Sequence, residues 1–254
     1  MKVVILAGGH GTRLSEYTNT IPKPMVKIGG RPIIEHIMNI YYKYLFNDFY
    51  IALGYKSEII KDYFFNYKNL NSDFQINLKT GEIFPYKDYS KDWSVNLINT
   101  GHNSMTGGRL LRLKEHLNET FFLTYGDAVC DININQLLEF HKSHKKLVTI
   151  TAVRPPARFG ELHINNNNLV TAFKEKPQVN EGWINGGFFV MEPEFIDFIE
   201  NDQTILEKKP LEIASENNQL VAFKHEGFWQ CMDTKRDKDN LDKLISNNKA
   251  SWLK

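Results

Sequence analysis

A glycine-rich turn follows the first apolar run of the chain. Val3 to Leu6 is a continuous branched apolar run, which predicts a fully buried strand, and Gly8-Gly9-His10-Gly11-Thr12-Arg13 comes soon after it. Glycines let backbone N–H groups approach a ligand closely, and a run of such donors suits an anion, most often phosphate. The turn lacks the Gly-Lys-Ser/Thr of a P-loop and the third glycine of the dinucleotide fingerprint. Thr12 and Arg13 add donors for phosphate oxygens, and the alternative is a tight strand-to-helix turn with a solvated arginine.

A lysine between two prolines, Pro22-Lys23-Pro24, lies ten residues beyond Arg13. The prolines restrict the backbone on both sides of the lysine. Such rigidity is useful for an ammonium group that must point at a phosphate. A plain rigid loop is an equally good interpretation of this segment taken alone.

These two segments together resemble a known signature. Leu6-Ala7-Gly8-Gly9-His10-Gly11-Thr12-Arg13-Leu14 followed by Lys23-Pro24-Met25 is similar to the motif of the sugar-1-phosphate nucleotidylyltransferases. The resemblance covers nearly the full length, through Gly54-Tyr55-Lys56, Asn99-Thr100-Gly101, Ser104 to Leu110, Tyr125-Gly126-Asp127, Pro155-Pro156, Arg158-Phe159-Gly160, Glu175-Lys176-Pro177, Ile184 to Phe189, Gly227 to Gln230 and Met232-Asp233-Thr234. The later segments are similar to the cytidylyltransferase branch in particular.

The resemblance implies an enzyme that converts CTP and α-D-glucose 1-phosphate to CDP-glucose and pyrophosphate, a step toward the deoxysugars of bacterial surface glycans. A sugar phosphate oxygen attacks the α-phosphorus in line, without a covalent enzyme intermediate, so the protein supplies positioning and charge neutralisation. The first alternative is the same chemistry with UTP, dTTP or another phosphorylated substrate. The second is a non-catalytic protein that binds nucleotide sugars. Family members form homo-oligomers, so we expect one here.

The resemblance also assigns residues to the nucleotide. Arg13 would face the leaving pyrophosphate and Lys23 the α-phosphate, as the catalytic cations. The full set implied at the nucleotide is Leu6, Ala7, Gly8, Gly9, Gly11, Thr12, Arg13, Lys23, Ser104, Arg109 and Gly126. The glycines of Thr106-Gly107-Gly108 would let the backbone approach a planar ring, or form the first turn of the helix that follows.

Two acidic residues are expected to hold a metal ion. Asp127 ends a predicted strand, and Asp233 lies far away in Met232-Asp233-Thr234. Carboxylates from distant segments can converge on one Mg²⁺, which prefers a few carboxylates together with phosphate and water oxygens. The ion would bridge the nucleotide and sugar phosphates and screen their repulsion. Asp131 precedes a predicted helix, and we interpret it as a helix cap.

The sugar phosphate is expected to bind in the second half of the chain. Glu175 and Lys176 match the Glu-Lys-Pro motif of the family, in which the carboxylate suits sugar hydroxyls and the lysine suits the phosphate. A solvated surface pair is the alternative. The set implied at the sugar phosphate is Phe159, Gly160, Glu175, Lys176, Asn185 and Gly186.

The composition is that of an ordinary globular protein. Hydrophobic residues make up 42% of the 254 residues and charged residues 24%, which excludes wholesale disorder, a collagen-like chain and a membrane-spanning protein. Lys and Arg total 31 against 30 Asp and Glu, so the basic excess of a nucleic-acid binder is absent. Cys130 and Cys231 lack the spacing of a metal site, and we expect reduced thiols in a cytoplasmic protein.

Alternating strands and helices must position these residues. Strands are predicted at 3–6, 48–53, 95–98, 121–124 and 147–153, and helices at 32–44, from Ser57 (which can cap its own helix), at 109–117 and at 134–144. This alternation predicts a doubly wound, mostly parallel α/β sheet, the Rossmann-like nucleotidyltransferase fold. Ligands of such sheets lie beyond the carboxyl ends of the strands.

The rest of the chain is expected to complete that sheet. A hairpin is predicted from 161–164 and 169–173 around the turn Asn165–Asn168, with strands at 187–191 and 220–223 and helices toward the C-terminus. We therefore predict a single domain over 1–254. Its nucleotide-binding half is 1–153, and its sugar-binding and C-terminal half is 154–254.

Overall fold

The structure is a computed structural model that describes residues 1–155, 161–164, 169–174 and 182–254, with the backbone alone for 161–164 and 172–174. Its strands are β1 (Lys2–Leu6), β2 (Lys27–Ile28), β3 (Arg31–Pro32), β4 (Asp48–Leu53), β5 (Ser72–Ile76), β6 (Ile83–Asp88), β7 (Ser94–Asn99), β8 (Phe121–Tyr125), β9 (Ala128–Cys130), β10 (Val148–Val153), β11 (Glu161–Ile164), β12 (Val170–Lys174), β13 (Ile184–Met191), β14 (Leu220–His225) and β15 (Trp229–Cys231). Its α-helices are α1 (Ser15–Thr18), α2 (Ile33–Tyr42), α3 (Ser57–Phe65), α4 (Tyr67–Leu70), α5 (Thr106–Leu111), α6 (Ile134–His144), α7 (Lys209–Glu216) and α8 (Lys235–Ser246).

A seven-stranded sheet lies at the centre of the molecule, in the order β14-β10-β13-β8-β1-β4-β7. Strand β13 runs antiparallel to its neighbours β8 and β10, and the remaining pairs of this sheet are parallel. The predicted mostly parallel α/β sheet is therefore confirmed. Because β13 comes from the second half and lies between two strands of the first, the two halves share one sheet.

The sheet is buried on both faces. Val3 and Ile5 of β1 belong to the apolar cluster that includes α2, whereas Val4 and Leu6 belong to the cluster that includes α5. Successive side chains of a strand point to opposite faces, so a strand covered on both sides must be apolar throughout. This explains why β1 is an unbroken apolar run. It also means that the loop after β1 starts from a fixed position in the core.

Several local expectations need correction. The helix predicted over 109–117 begins earlier, at Thr106, and ends at Leu111. Ser57 does not cap α3, because the N-cap is Lys56 in the left-handed conformation and no side chain caps the helix. The hairpin of β5 and β6 was not predicted, since its residues are almost all exposed and give no alternation against a core.

Elsewhere the predicted pattern agrees with the structure. Strands β11 and β12 pair antiparallel, as the hairpin prediction requires, and the turn Asn165–Asn168 lies outside the described residues. Within the described ranges, no helix is both long and apolar enough to cross a bilayer. The single-domain organisation stays a prediction.

The C-terminal turn docks on α2 through a buried histidine. Trp252 is fully buried, stacks on Phe228 with ring centroids 5.1 Å apart, and its Nε1 donates to Nδ1 of His36 at 3.3 Å. The other ring nitrogen of His36 lies 2.9 Å from the carbonyl of Ile28. A ring that accepts at Nδ1 and donates at Nε2 is the neutral form of histidine. Burial lowers the pKa of His36 and favours the same form.

We expect acid to weaken this docking. The folded pKa of His36 lies below the ordinary value of about 6.5. As pH falls through the ordinary value, His36 becomes protonated in the unfolded chain but stays neutral in the folded chain. The free energy of unfolding therefore decreases. Urea denaturation at about pH 7.5 and about pH 5.5 measures this loss. His36→Gln, which cannot titrate, should lose less on acidification, and an equal loss in the variant would contradict the assignment.

Candidate active site

A cavity of about 640 Å³ lies beyond the carboxyl ends of the parallel strands. Its lining comes from residues of the segment 6–13 after β1, the segment 102–109 after β7 and the segment 125–127 at the end of β8, together with Lys23, Pro24, Gln203 and Glu207. This is the edge at which a doubly wound sheet binds its ligands. The volume is within the usual range for a small-molecule site.

Two acidic and two basic side chains meet at the lip of this cavity. Lys23 Nζ lies 2.6 Å from Asp127 Oδ2 and 2.6 Å from Asp233 Oδ1. Arg13 NH1 lies 2.6 Å from the other oxygen of Asp233. The two carboxylate oxygens that share the ammonium group are no more than twice 2.6 Å apart. The site therefore gathers two carboxylates around one cation position.

A short antiparallel ladder brings the two acids together. Strand β9 pairs with β15 so that Ala128 lies opposite Cys231, and the N–H of Met232 donates to the carbonyl of Asp127 at 2.8 Å. Asp127 and Asp233 thus flank the same end of the ladder, although more than a hundred residues separate them. The short length of these strands explains why sequence patterns did not reveal them.

The proline-flanked lysine lies in a 3₁₀ turn, Lys23–Met25, which follows an extended Pro22. The N–H of Met25 donates to the carbonyl of Pro22 at 2.8 Å and closes the turn. Gly11 packs against it with a φ of 62°, and a Cβ at Gly11 would lie 3.1 Å from the Cβ of Lys23. A residue with a side chain is disfavoured in that conformation, so Gly11 lets the first loop close on the lysine.

The charges of this cluster reinforce one another. Burial alone would lower the pKa of Lys23, but the Asp127 and Asp233 carboxylates outweigh it and hold that pKa above its ordinary value. Burial alone would raise the pKa of Asp233, but Lys23 and then Arg13 hold it below its ordinary value. Burial, together with both aspartates, raises the pKa of the Cys231 thiol to about 12. Cys231 is therefore a protonated thiol at neutral pH and not a nucleophile.

Arg109 lies beneath the loops that form the cavity. Its buried guanidinium donates to the carbonyl of Gly8 at 2.9 Å, of Leu53 at 3.1 Å and of Gly101 at 2.7 Å, and to Thr100 Oγ1 at 3.0 Å. These partners follow or end β1, β4 and β7. The side chain expected to contact the nucleotide thus directs these donors at the protein, and it joins three strand ends.

Two histidine rings line the cavity, and a tyrosine ring packs against them. The ring of His10 lies 4.8 Å from that of Tyr55 and 5.1 Å from that of His102. Tyr55 is anchored by its hydroxyl, which donates to the carbonyl of Thr18 at 3.0 Å. His102 was not predicted as a site residue. It lies just beyond the end of β7, and ligands of such sheets lie beyond the carboxyl ends of the strands.

Comparison with known proteins shows what this chain is similar to. The family model described as nucleotidyl transferase matches residues 2–248. Glucose-1-phosphate cytidylyltransferase of Salmonella typhimurium is 48% identical over 99% of this chain and 98% of its own length. A protein of Bacillus subtilis described as probable glucose-1-phosphate cytidylyltransferase is 38% identical over 99% of each chain.

The chain belongs to the nucleotidyl transferase family. The solved structure of HddC from Yersinia pseudotuberculosis complexed with GMP-PN shares the fold, with a TM-score of 0.69 over 96% of this chain and 99% of that one at 23% identity. The predicted family and the predicted Rossmann-like fold are thus both confirmed.

Most residues predicted for the nucleotide line the cavity of this nucleotidyl transferase: Leu6, Ala7, Gly8, Gly9, Gly11, Arg13, Lys23, Ser104, Arg109 and Gly126. Thr12 is exposed on the first 3₁₀ turn and is not among the lining residues. Asn185 contacts the lining indirectly, because its side-chain amide donates to the hydroxyl of Tyr125 at 3.0 Å. Gly186 is buried in β13 against Val153. The predicted Phe159, Gly160, Glu175 and Lys176 lie outside the described residues.

The glycines of α5 lie in its first turn and pack against the connection before α7. A Cβ at Gly108 would lie 2.2 Å from the carbonyl oxygen of Asp202, and one at Gly107 would lie 2.7 Å from that of Thr204. The N–H groups of Gly107 and Gly108 donate to the Thr204 carbonyl at 3.0 and 3.2 Å. The backbone that approaches them belongs to the protein, and both glycines lie in the first turn of α5, as the alternative prediction required. The approach to a nucleotide ring stays a prediction.

Asp131 does not cap α6, contrary to expectation. The N-cap is Asn133, whose side chain accepts from the N–H of Gln136 at 3.0 Å. Asp131 lies two residues earlier and pairs with His225, whose Nε2 is 3.0 Å from its carboxylate. Asn133 directly precedes the first residue of the helix, so its side chain takes the capping role.

Gln203 and Glu207 are cavity residues that sequence reasoning missed. They belong to the connection between β13 and α7, which approaches the cavity because Gly107 and Gly108 leave room for it. No strand end or motif marks this connection. The signal in the sequence is the pair of glycines at the start of α5, whose packing against this connection was not predicted.

Gly108→Ala is expected to destabilise the protein. Alanine normally favours a helix by up to about 1 kcal/mol over glycine. Here the added methyl would meet backbone at 2.2 Å, and forcing such contacts in a packed region costs about 1–3 kcal/mol. Urea denaturation gives the difference. Gly9→Ala is the matched control, because a Cβ there meets nothing within 4 Å; equal stability of the two variants would contradict the packing argument.

Proposed function

We propose that this chain is a cytidylyltransferase that joins CTP and α-D-glucose 1-phosphate to give CDP-glucose and pyrophosphate. The observation that carries the chemistry is the convergence of Arg13, Lys23, Asp127 and Asp233 beside a glycine turn at the cavity. The identity of 48% to the Salmonella enzyme over nearly all of both chains supports the choice of nucleotide and sugar.

The two cations supply charge neutralisation. Arg13 and Lys23 are held against carboxylates, and anionic phosphate oxygens offer them stronger partners at the same place. We place Lys23 at the α-phosphate, because it is rigid and buried, and Arg13 at the leaving pyrophosphate, because its side chain is 71% exposed and can follow that group. The sugar phosphate oxygen forms a bond to the α-phosphorus as the bond to the pyrophosphate oxygen breaks.

The acidic pair fits Mg²⁺. Two carboxylate oxygens already converge on one cationic nitrogen at 2.6 Å each, and Asp127 and Lys23 line the cavity that would hold the phosphates. Asp127 and Asp233 would hold the ion, which when bound neutralises phosphate charge and polarises the phosphorus centre. Lys23 keeps the two carboxylates together until substrate arrives.

The remaining predicted residues complete the proposal. Ser104 is buried at the cavity and contributes to the nucleotide site, while Arg109 supports the loops around it. Asn185 lies on the sugar side, and family resemblance adds Phe159, Gly160, Glu175 and Lys176 there.

We also propose a cytoplasmic homo-oligomer: the cytoplasm supplies CTP, and the hairpin of β5 and β6 exposes the apolar side chains of Phe74, Ile76, Ile83, Phe84 and Tyr86, which a second subunit could cover.

Release of pyrophosphate across a grid of substrates tests the function. We expect the highest kcat/KM with CTP, glucose 1-phosphate and Mg²⁺, and loss of turnover in EDTA, because phosphoryl transfer depends on charge neutralisation. Faster turnover of UTP or dTTP would overturn the base assignment. Binding of CDP-glucose without turnover of any pair would show a non-catalytic binding protein instead.

Lys23→Met is expected to lower kcat by about 10²–10³-fold, as loss of one group that stabilises developing charge does. Methionine keeps most of the side-chain volume but removes the ammonium group that Asp127 and Asp233 share. Steady-state kinetics measures the loss, and circular dichroism confirms the fold. Lys27→Met changes an exposed lysine of β2 in the same way and should be silent. Wild-type turnover in folded Lys23→Met would refute the role of Lys23.

A further inference from the structure

Glu207 lies between two hydroxyl groups at the wall of the cavity. Its Oε2 accepts from Thr106 Oγ1 at 2.6 Å, and its Oε1 accepts from the hydroxyl of Tyr125 at 2.5 Å. An ionised carboxylate can accept on both oxygens at once, whereas an amide offers one acceptor oxygen and one donor group. The arrangement therefore suits glutamate in particular.

The first arm of this carboxylate leads to the nucleotide side. Thr106 begins α5, and its hydroxyl also accepts from the N–H of Leu206 at 2.9 Å. The residues just before it, Ser104 and Met105, line the cavity. Glu207 and Thr106 thus fasten the connection before α7 to the start of the segment proposed to contact the nucleotide.

The second arm leads to the sugar side. Tyr125 donates to Glu207 and accepts from the side-chain amide of Asn185 at 3.0 Å. Asn185 is oriented by a second bond, since its oxygen accepts from the N–H of Gly187 at 2.8 Å. Gly187 lies so close to the Tyr125 ring that a Cβ would be 2.5 Å from it. Burial, then the charge of Glu207, raises the pKa of Tyr125, which keeps its proton available for donation.

We propose that Glu207 is a positioning residue that couples the two substrate sites, by holding Thr106 on the nucleotide side and Tyr125, with Asn185, on the sugar side. This inference rests on the proposed function. The chain of bonds from Asn185 through Tyr125 and Glu207 to Thr106 crosses from β13 to β8 and then to α5. Removing the Glu207 carboxylate should weaken binding of both substrates. Removing the hydroxyl of Tyr125 or of Thr106 should weaken binding of one substrate only.

Four variants test this coupling. Glu207→Ala should raise KM for both CTP and glucose 1-phosphate, each roughly tenfold, the effect expected when a hydrogen bond to a charged group is lost. Tyr125→Phe should raise KM for glucose 1-phosphate and spare that for CTP. Thr106→Val should do the reverse. Glu207→Gln, which keeps one acceptor, should fall between wild type and Glu207→Ala.

Glu212→Ala removes an exposed carboxylate of α7 and is the matched control, with both KM values unchanged. A Glu207→Ala enzyme with lower thermal stability but normal KM values would make Glu207 a structural tie only and overturn the inference. A rise in KM for CTP alone would make it a nucleotide contact and overturn the coupling. Failure of the proposed function looks different, because the wild-type protein would then release no pyrophosphate.

Discussion

The architecture of the site depends on one ammonium group held by two carboxylates. Asp127 and Asp233 would repel each other if they faced one another alone, and Lys23 turns this repulsion into attraction at 2.6 Å on each side. The three residues come from a turn near the N-terminus, the end of β8 and a ladder near the C-terminus. A single cation therefore joins distant parts of the chain beside one cavity.

A second cation performs the complementary task. Arg109 is buried beneath the loops and donates to the carbonyls of Gly8, Leu53 and Gly101, which belong to different strand ends. Carbonyl oxygens compete less strongly for a guanidinium than a carboxylate does, but they fix the course of the backbone. Arg109 thus fixes the shape of the cavity, whereas Lys23 and Arg13 place positive charge beside it.

Local patterns in the sequence predicted the parts of the fold whose residues are buried on a regular period. The strands of the central sheet and helices α2 and α6 were found because apolar runs and helical spacing report burial directly. The exposed hairpin of β5 and β6 has no buried face and left no such pattern. Asp131 was misassigned, and the packing partner of the α5 glycines was not predicted, because His225 and Asp202 to Thr204 lie some 90 residues away in sequence or more. Motif resemblance, not periodicity, supplied Lys23, Asp127 and Asp233.

The antiparallel direction of β13 brings part of the second half of the chain to the cavity. In the register of β13 with β8, Phe188 lies opposite Thr124, so Asn185 comes to the end of β8 beside Tyr125. A parallel strand in this position would bring its N-terminal end to the opposite edge of the sheet, away from the cavity. Reversing one strand therefore places the start of β13 at the same edge as the ends of β1, β4 and β8. Asn185 of the second half thereby reaches Tyr125 at the cavity that the loops of the first half line.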